Sequence, residues 1–182
     1  MEQFELKTTR SNGFANLDRL ECPPRLESWL GSCYQKGRMG SSYNSVVIDA
    51  PVDRVWFVVR DFHHMEWAGP FVMRLEKVGK LGGTEVGAQR VINGLLHETL
   101  LSLDDNKREL SYRINDGPGP ISREFVSKYV ARVRVLPVTV TNQTYVEYTS
   151  TFEAKDEAAV DDLVNPIFTE VLGYLAKHFA RQ

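Results

Sequence analysis

The chain of 182 residues is short of several things that would announce a function. It holds two cysteines, Cys22 and Cys33, in no Cys-x-x-Cys spacing and with no histidine at metal-ligand distance. A zinc site and a redox pair are therefore weak readings, and free thiols in a reducing compartment are expected. Nowhere do ~18 apolar residues run together, so no transmembrane helix is expected. The first residues carry Glu2 and Glu5 and lack an apolar segment, so a signal peptide is not expected either, and a cytoplasmic location follows. A net charge of -2 gives no electrostatic reason to bind nucleic acid, and the nearest thing to a basic stripe is two residues long, Arg132 and Arg134.

Catalytic signatures are equally scarce. There is no nucleophile elbow, no Ser-His-Asp order and no phosphate-binding glycine loop, since "LGGTEVG" joins two strands instead of opening a helix. The "HHME" run holds His63, His64 and Glu66, but that spacing is not one used by metals, and a polar helix face is the better reading. No cofactor and no metal are expected.

What remains is ordinary globular material, 42% hydrophobic and 25% charged, enough for one domain with its own core. Residues 1–40 differ from the rest: Cys22-Pro23-Pro24 forbids a continuous helix, and Gly31, Gly37 and Gly40 sit among few apolar residues. They read as an extension, with Trp29, Leu30 and Tyr34 available to dock it. Residues 41–182 read as the main domain.

Within it, Ser45–Ile48 reads as a strand stopped by Asp49-Ala50-Pro51. Val52, Val55, Trp56 and Val59 then follow helical spacing over Val52–Arg60, and a second short turn runs from His63 to Trp67. Six further strands are expected at Phe71–Val78, Ala88–Asn93, Leu95–Asp104, Glu109–Asn115, Phe125–Val138 and Tyr145–Phe152. Their short polar connectors suit an antiparallel meander. Asn93-Gly94 predicts a tight type I′ hairpin between the third and fourth strands. From Asp156 to Arg181 the period changes, and Val160, Leu163, Val164, Ile167, Phe168, Val171, Leu172, Leu175 and Phe179 share one helical stripe. Pro166 predicts a kink or a helix start inside it. The expected architecture is α+β: seven antiparallel strands curved around a long C-terminal helix, with two short helices after the first strand.

A sheet bent around one helix leaves space between them, the natural place for an apolar pocket. In one strand phase Tyr112, Tyr129, Ala131, Val133, Tyr148 and Phe152 converge on the concave face, although aromatic stripes more often simply fill cores. Glu98 shares a face with Leu96 and Leu100; if that face is the inner one, its charge needs a partner or must be given up. In the other phase Leu95, Thr99, Leu101 and Leu103 point inward and Glu98 is solvated. Periodicity leaves both open.

Several stretches resemble a known family: "VVIDAPVDRVWFVVRDF", "EWAGPFV", "GAQRVINGLLHETLLSLDDNKRELSYRIN", "YVARVRVLPVTVTNQTYVEYTSTF" and "VLGYLAKHF". Together they look like the START-like, birch-pollen-allergen superfamily, in its polyketide cyclase/dehydrase and lipid-transport branch, over about residues 41–180. The plant abscisic-acid receptors are more distant members. The resemblance implies a helix-grip fold with a hydrophobic ligand cavity. Where those receptors carry a Ser-Gly-Leu-Pro-Ala gate, this chain has Asn93-Gly94-Leu95-Leu96-His97, with a shorter connection after it. Their His-Arg-Leu latch falls on Gly119-Pro120-Ile121, and their ligand-pairing lysine falls near Gly69. The match thus implies an open-mouthed pocket without the receptors' lid, while Glu98 in "ETL" matches their pocket glutamate and implies the inward phase.

The expected function is binding or carrying of a small apolar or aromatic ligand, lipid or polyketide-like. The residues expected to line the site are Trp67, Phe71, Gly94, Leu95, Leu96, Glu98, Leu100, Tyr112, Ile121, Tyr129, Tyr148, Phe168 and Leu172. The alternative is a cyclase or dehydratase in which Glu98, His97 or Tyr112 moves protons. Outward leucines and the extension would give a partner or a second copy a surface, so a homodimer is the third reading.

Overall fold

The computed structural model describes residues 37–180, so the expected extension lies almost wholly outside the described residues, with Cys22, Trp29, Leu30, Cys33 and Tyr34. Seven strands form one antiparallel sheet in the order β1-β7-β6-β5-β4-β3-β2. They are β1 (Arg38–Ile48), β2 (Leu75–Val78), β3 (Gln89–Ile92), β4 (Leu96–Asp104), β5 (Glu109–Asp116), β6 (Val126–Val138) and β7 (Gln143–Ala154). Helix α1 (Val52–Val59) follows β1, and helix α2 (Glu157–Ala180) packs across β1 and β7. The core lies between α2 and the sheet, where Val160, Val164, Phe168, Val171, Leu172, Leu175 and Phe179 meet the inward strand residues.

Three expectations shift. First, β1 starts at Arg38, well before Ser45, because the stretch Arg38–Asn44 pairs residue by residue with β7 although its polar side chains carry no alternation. Gly40 belongs there physically, since a Cβ on it would lie 2.2 Å from the Phe152 ring. Second, the short turn expected at His63–Trp67 is a 3-10 helix at Glu66–Phe71, bent at Gly69 (φ 59°) ahead of Pro70. Third, α2 starts at Glu157 and runs through Pro166, so no helix begins there.

The sequence around Pro166 is tied to the sheet by side chains. Asn44 Nδ2 donates to Asn165 Oδ1 at 2.8 Å, and Asn165 Nδ2 donates to Asp161 Oδ1 at 2.7 Å. The Thr169 hydroxyl lies 2.9 Å from both Asn44 Oδ1 and the Asn165 carbonyl. These bonds hold the middle of α2 against β1 where proline has removed a backbone donor.

Strand β4 answers the phase question in two halves. Glu98 and Leu100 are buried at 2% and 0% exposure, which is the Leu96-Glu98-Leu100 phase. The register then slips between Leu100 and Ser102. This bulge leaves Leu101 outward and turns Leu103 back against the core, as an inserted residue must in a period-two strand. Of the other phase's leucines only Leu103 turns inward, while Leu95 and Leu101 are exposed.

Candidate functional site

The β3–β4 connection sets the site. Asn93 (φ 53°) and Gly94 (φ 73°) both take the left-handed conformation the sequence predicts, and Leu95 N–H donates to the Ile92 carbonyl at 3.0 Å. Pairing resumes with Ile92 opposite Leu96, so the loop holds one residue more than a two-residue turn, and Leu95 stands outside the ladder. That extra residue places Glu98 opposite Arg90; a two-residue turn would have put His97 there.

Arg90 and Glu98 form a buried ion pair, Nε donating to Oε2 at 2.6 Å, with the side chains 6% and 2% exposed. Arg90 Nη1 donates to the Phe62 carbonyl at 2.6 Å, and its guanidinium carbon lies 3.8 Å from the Phe62 ring centre. Ladder register, a carbonyl acceptor and a π-face thus fix one cation beneath the sheet. Burial pushes the Glu98 carboxyl above its usual value, and Arg90 opposes that push by charge and hydrogen bond.

Arg90 escaped the sequence reading. The signal that could have found it is its period-two phase with Ala88 and Ile92, both buried, which puts a charged residue on an inward face.

Above the ion pair lies a cavity of about 160 Å³. Of the expected site residues, it brings together Phe71, Leu95, Leu96, Glu98, Tyr112, Ile121, Tyr148 and Phe168. Arg90, Met65, Ile92 and Ile114 join them. A second space of about 50 Å³ shares Met65, Arg90, Tyr112 and Tyr148 with the first and reaches Trp67 and Leu172. Tyr112 and Tyr148 are joined hydroxyl to hydroxyl, and Tyr148 stacks on Phe168 with ring centres 4.1 Å apart. Burial raises the Tyr148 phenol far above its usual value.

Other expected residues fall elsewhere. His97 alternates with Glu98 and is exposed on the outer face, opposite Asp116 in the β4–β5 ladder, so it is no cavity group. Leu100 is fully buried core, and Tyr129 stacks on Phe152 at 5.5 Å; neither borders either cavity. Gly94 is exposed and borders neither. At the "HHME" run, His64 and Glu66 form a surface pair at 3.2 Å, while His63 is buried with Nε2 3.0 Å from the Gln89 carbonyl. No group of three or more His, Cys, Asp or Glu is arranged to hold a metal among the described residues. No described helix is long and apolar enough to cross a membrane.

A curved antiparallel sheet gripping a C-terminal helix defines the START-like, birch-pollen-allergen class, a ligand-binding fold. The chain belongs to the polyketide cyclase/dehydrase and lipid transport family, whose model matches residues 39–180. A solved protein of Nitrosospira multiformis is 36% identical, with 78% of this chain and 99% of that one covered and a TM-score of 0.75. One from Thermobifida fusca is 28% identical over 78% and 93% of the two chains, at a TM-score of 0.66. Norcoclaurine synthase of Thalictrum flavum, solved with dopamine and hydroxybenzaldehyde, shares the fold at 15% identity, covering 81% and 90%, with a TM-score of 0.65. Comparison with curated proteins gives no significant match.

Proposed function

We propose that the chain binds or carries a small apolar or aromatic ligand in the larger cavity. The observation that carries this reading is the cavity itself, about 160 Å³ between α2 and the sheet, with Phe71, Leu96, Ile121 and Phe168 among its walls. Engineered apolar cavities of roughly 150 Å³ accept one benzene-sized ring, so the volume favours a ring over a long acyl chain. An environment-sensitive apolar dye should bind the purified protein saturably and be displaced by small aromatic competitors. Ile121→Trp, which fills the space, should abolish that signal in a still-folded protein. Absence of saturable dye binding to the wild-type chain refutes the reading.

One observation favours a second reading, a cyclase or dehydratase: a cavity-lining carboxyl held above its usual value beside two phenols is a proton-transfer arrangement. Here Glu98 would move the proton, with Tyr112 beside it; His97, on the outer face, would not. On any substrate found to turn over, Glu98→Gln should lower kcat by about a hundredfold or more, the usual contribution of acid–base catalysis. Unchanged kcat removes Glu98 from that role.

A further inference from the structure

Two hydroxyls joined by one hydrogen bond have one proton left over. Tyr112 and Tyr148 share such a bond at the polar end of the cavity, and they are 3% and 8% exposed. Whichever of them donates, the other O–H has no acceptor among the described residues. Arg90 adds to the surplus, because Nε and Nη1 are spent on Glu98 and the Phe62 carbonyl while Nη2 makes no hydrogen bond among the described residues. Donors therefore stand unspent at a place with no net charge, since Glu98 balances Arg90 at 2.6 Å.

That balance discriminates among ligand chemistries. A hydrocarbon in the cavity would leave the spare phenolic proton buried without an acceptor, which costs free energy. An anion would shed its hydration to meet Arg90 and Glu98 together, with the carboxylate opposing it. A neutral oxygen acceptor takes the proton and requires no countercharge. The apolar walls, Phe168 stacked on Tyr148 and Ile114 and Ile121 nearby, then take the ring that carries it.

Resting on the pocket reading above, we infer that the cavity selects a neutral, ring-sized carbonyl compound whose oxygen accepts the hydrogen bond left over by the Tyr112–Tyr148 pair. The two tyrosines are specificity-determining residues, and Arg90 and Glu98 set the charge against which they work.

Three probes of nearly one shape test this on the full chain by NMR shift titration: acetophenone, α-methylstyrene and benzoate. Acetophenone should bind roughly threefold to tenfold more tightly than α-methylstyrene, the worth of one net hydrogen bond, and benzoate most weakly. The carbonyl carbon resonance of bound acetophenone should move downfield. In the Tyr112→Phe/Tyr148→Phe double variant that preference should be lost or reversed, because the ketone oxygen would then be buried without its donor. Equal affinity in the wild-type chain overturns the carbonyl assignment and leaves the pocket standing. So does a preference that survives in the double variant, and tighter benzoate binding overturns it in favour of an anion site on Arg90. If neither the probes nor the apolar dye bind, the pocket reading fails and the carbonyl assignment falls with it. Should the double variant fail to fold, the wild-type comparison and the carbon shift decide alone.

Discussion

Removing the guanidinium of Arg90 would strand Glu98 as a lone carboxylate at 2% exposure. Arg90→Met keeps much of the apolar stem and should cost about 3–5 kcal/mol near neutral pH, the usual penalty for breaking a buried ion pair from one side. Glu98 can escape by taking a proton, so the penalty should shrink in acid. The wild-type chain behaves in the same sense: because burial raises the Glu98 carboxyl, the folded state holds this proton more readily than the unfolded state. The group's contribution is full below the ordinary carboxylate value of about 4.3 and is lost as pH rises through its folded value. Urea unfolding of the wild type and Arg90→Met across that window checks both slopes; a penalty independent of pH would mean that Glu98 does not titrate with folding.

At the scale of elements, the β3–β4 loop is held from the side by one side chain. Asn93 Oδ1 accepts the Met73 and Arg74 N–H groups at 3.0 and 3.1 Å, and Nδ2 donates to the Phe71 carbonyl at 2.9 Å. This is why the strand expected from Phe71 begins only at Leu75: residues 72–74 give two of their backbone bonds to Asn93 in place of a ladder. It also fixes Phe71 at the cavity. Asn93→Ala should cost about 1–3 kcal/mol, since it removes three hydrogen bonds and forces a Cβ-bearing residue without a polar group into positive φ. Asn93→Gly keeps the backbone free and isolates the hydrogen-bond share. Amide exchange at Met73 and Arg74 should quicken in both variants; unchanged exchange would show that the clamp holds nothing.

The same loop explains what could and could not be read from the chain. Strands β5 to β7 and helix α2 announce themselves by period, because one face of each is buried, whereas the bulged β4 buries Glu98, Thr99 and Leu100 in succession. Strand β1 hides its first half behind Gly, Ser and Asn, residues chosen for contact with β7 and α2 and not for hydrophobicity. Asn-Gly gives the turn but not the count of loop residues, and that count alone decides whether Arg90 meets His97 or Glu98. Tyr112, Tyr148 and Phe168 are therefore accessible to pattern reading, while Met65, Ile92 and Ile114 escape it and the ion pair beneath them depends on a register no pattern states.

For the whole molecule, the sheet order has a consequence in time. Strand β1 hydrogen-bonds to β7 alone in the sheet, Arg38 facing Ala154 and Ile48 facing Thr144. Its inner side is covered by α2, which follows β7 in the chain. During synthesis β1 thus has neither its ladder partner nor its cover until β7 and α2 have left the ribosome. The meander β2 to β6 can pair as it emerges, but the cavity acquires its α2 wall only after β7 has been made, so no nascent chain can retain a ligand before α2 has emerged.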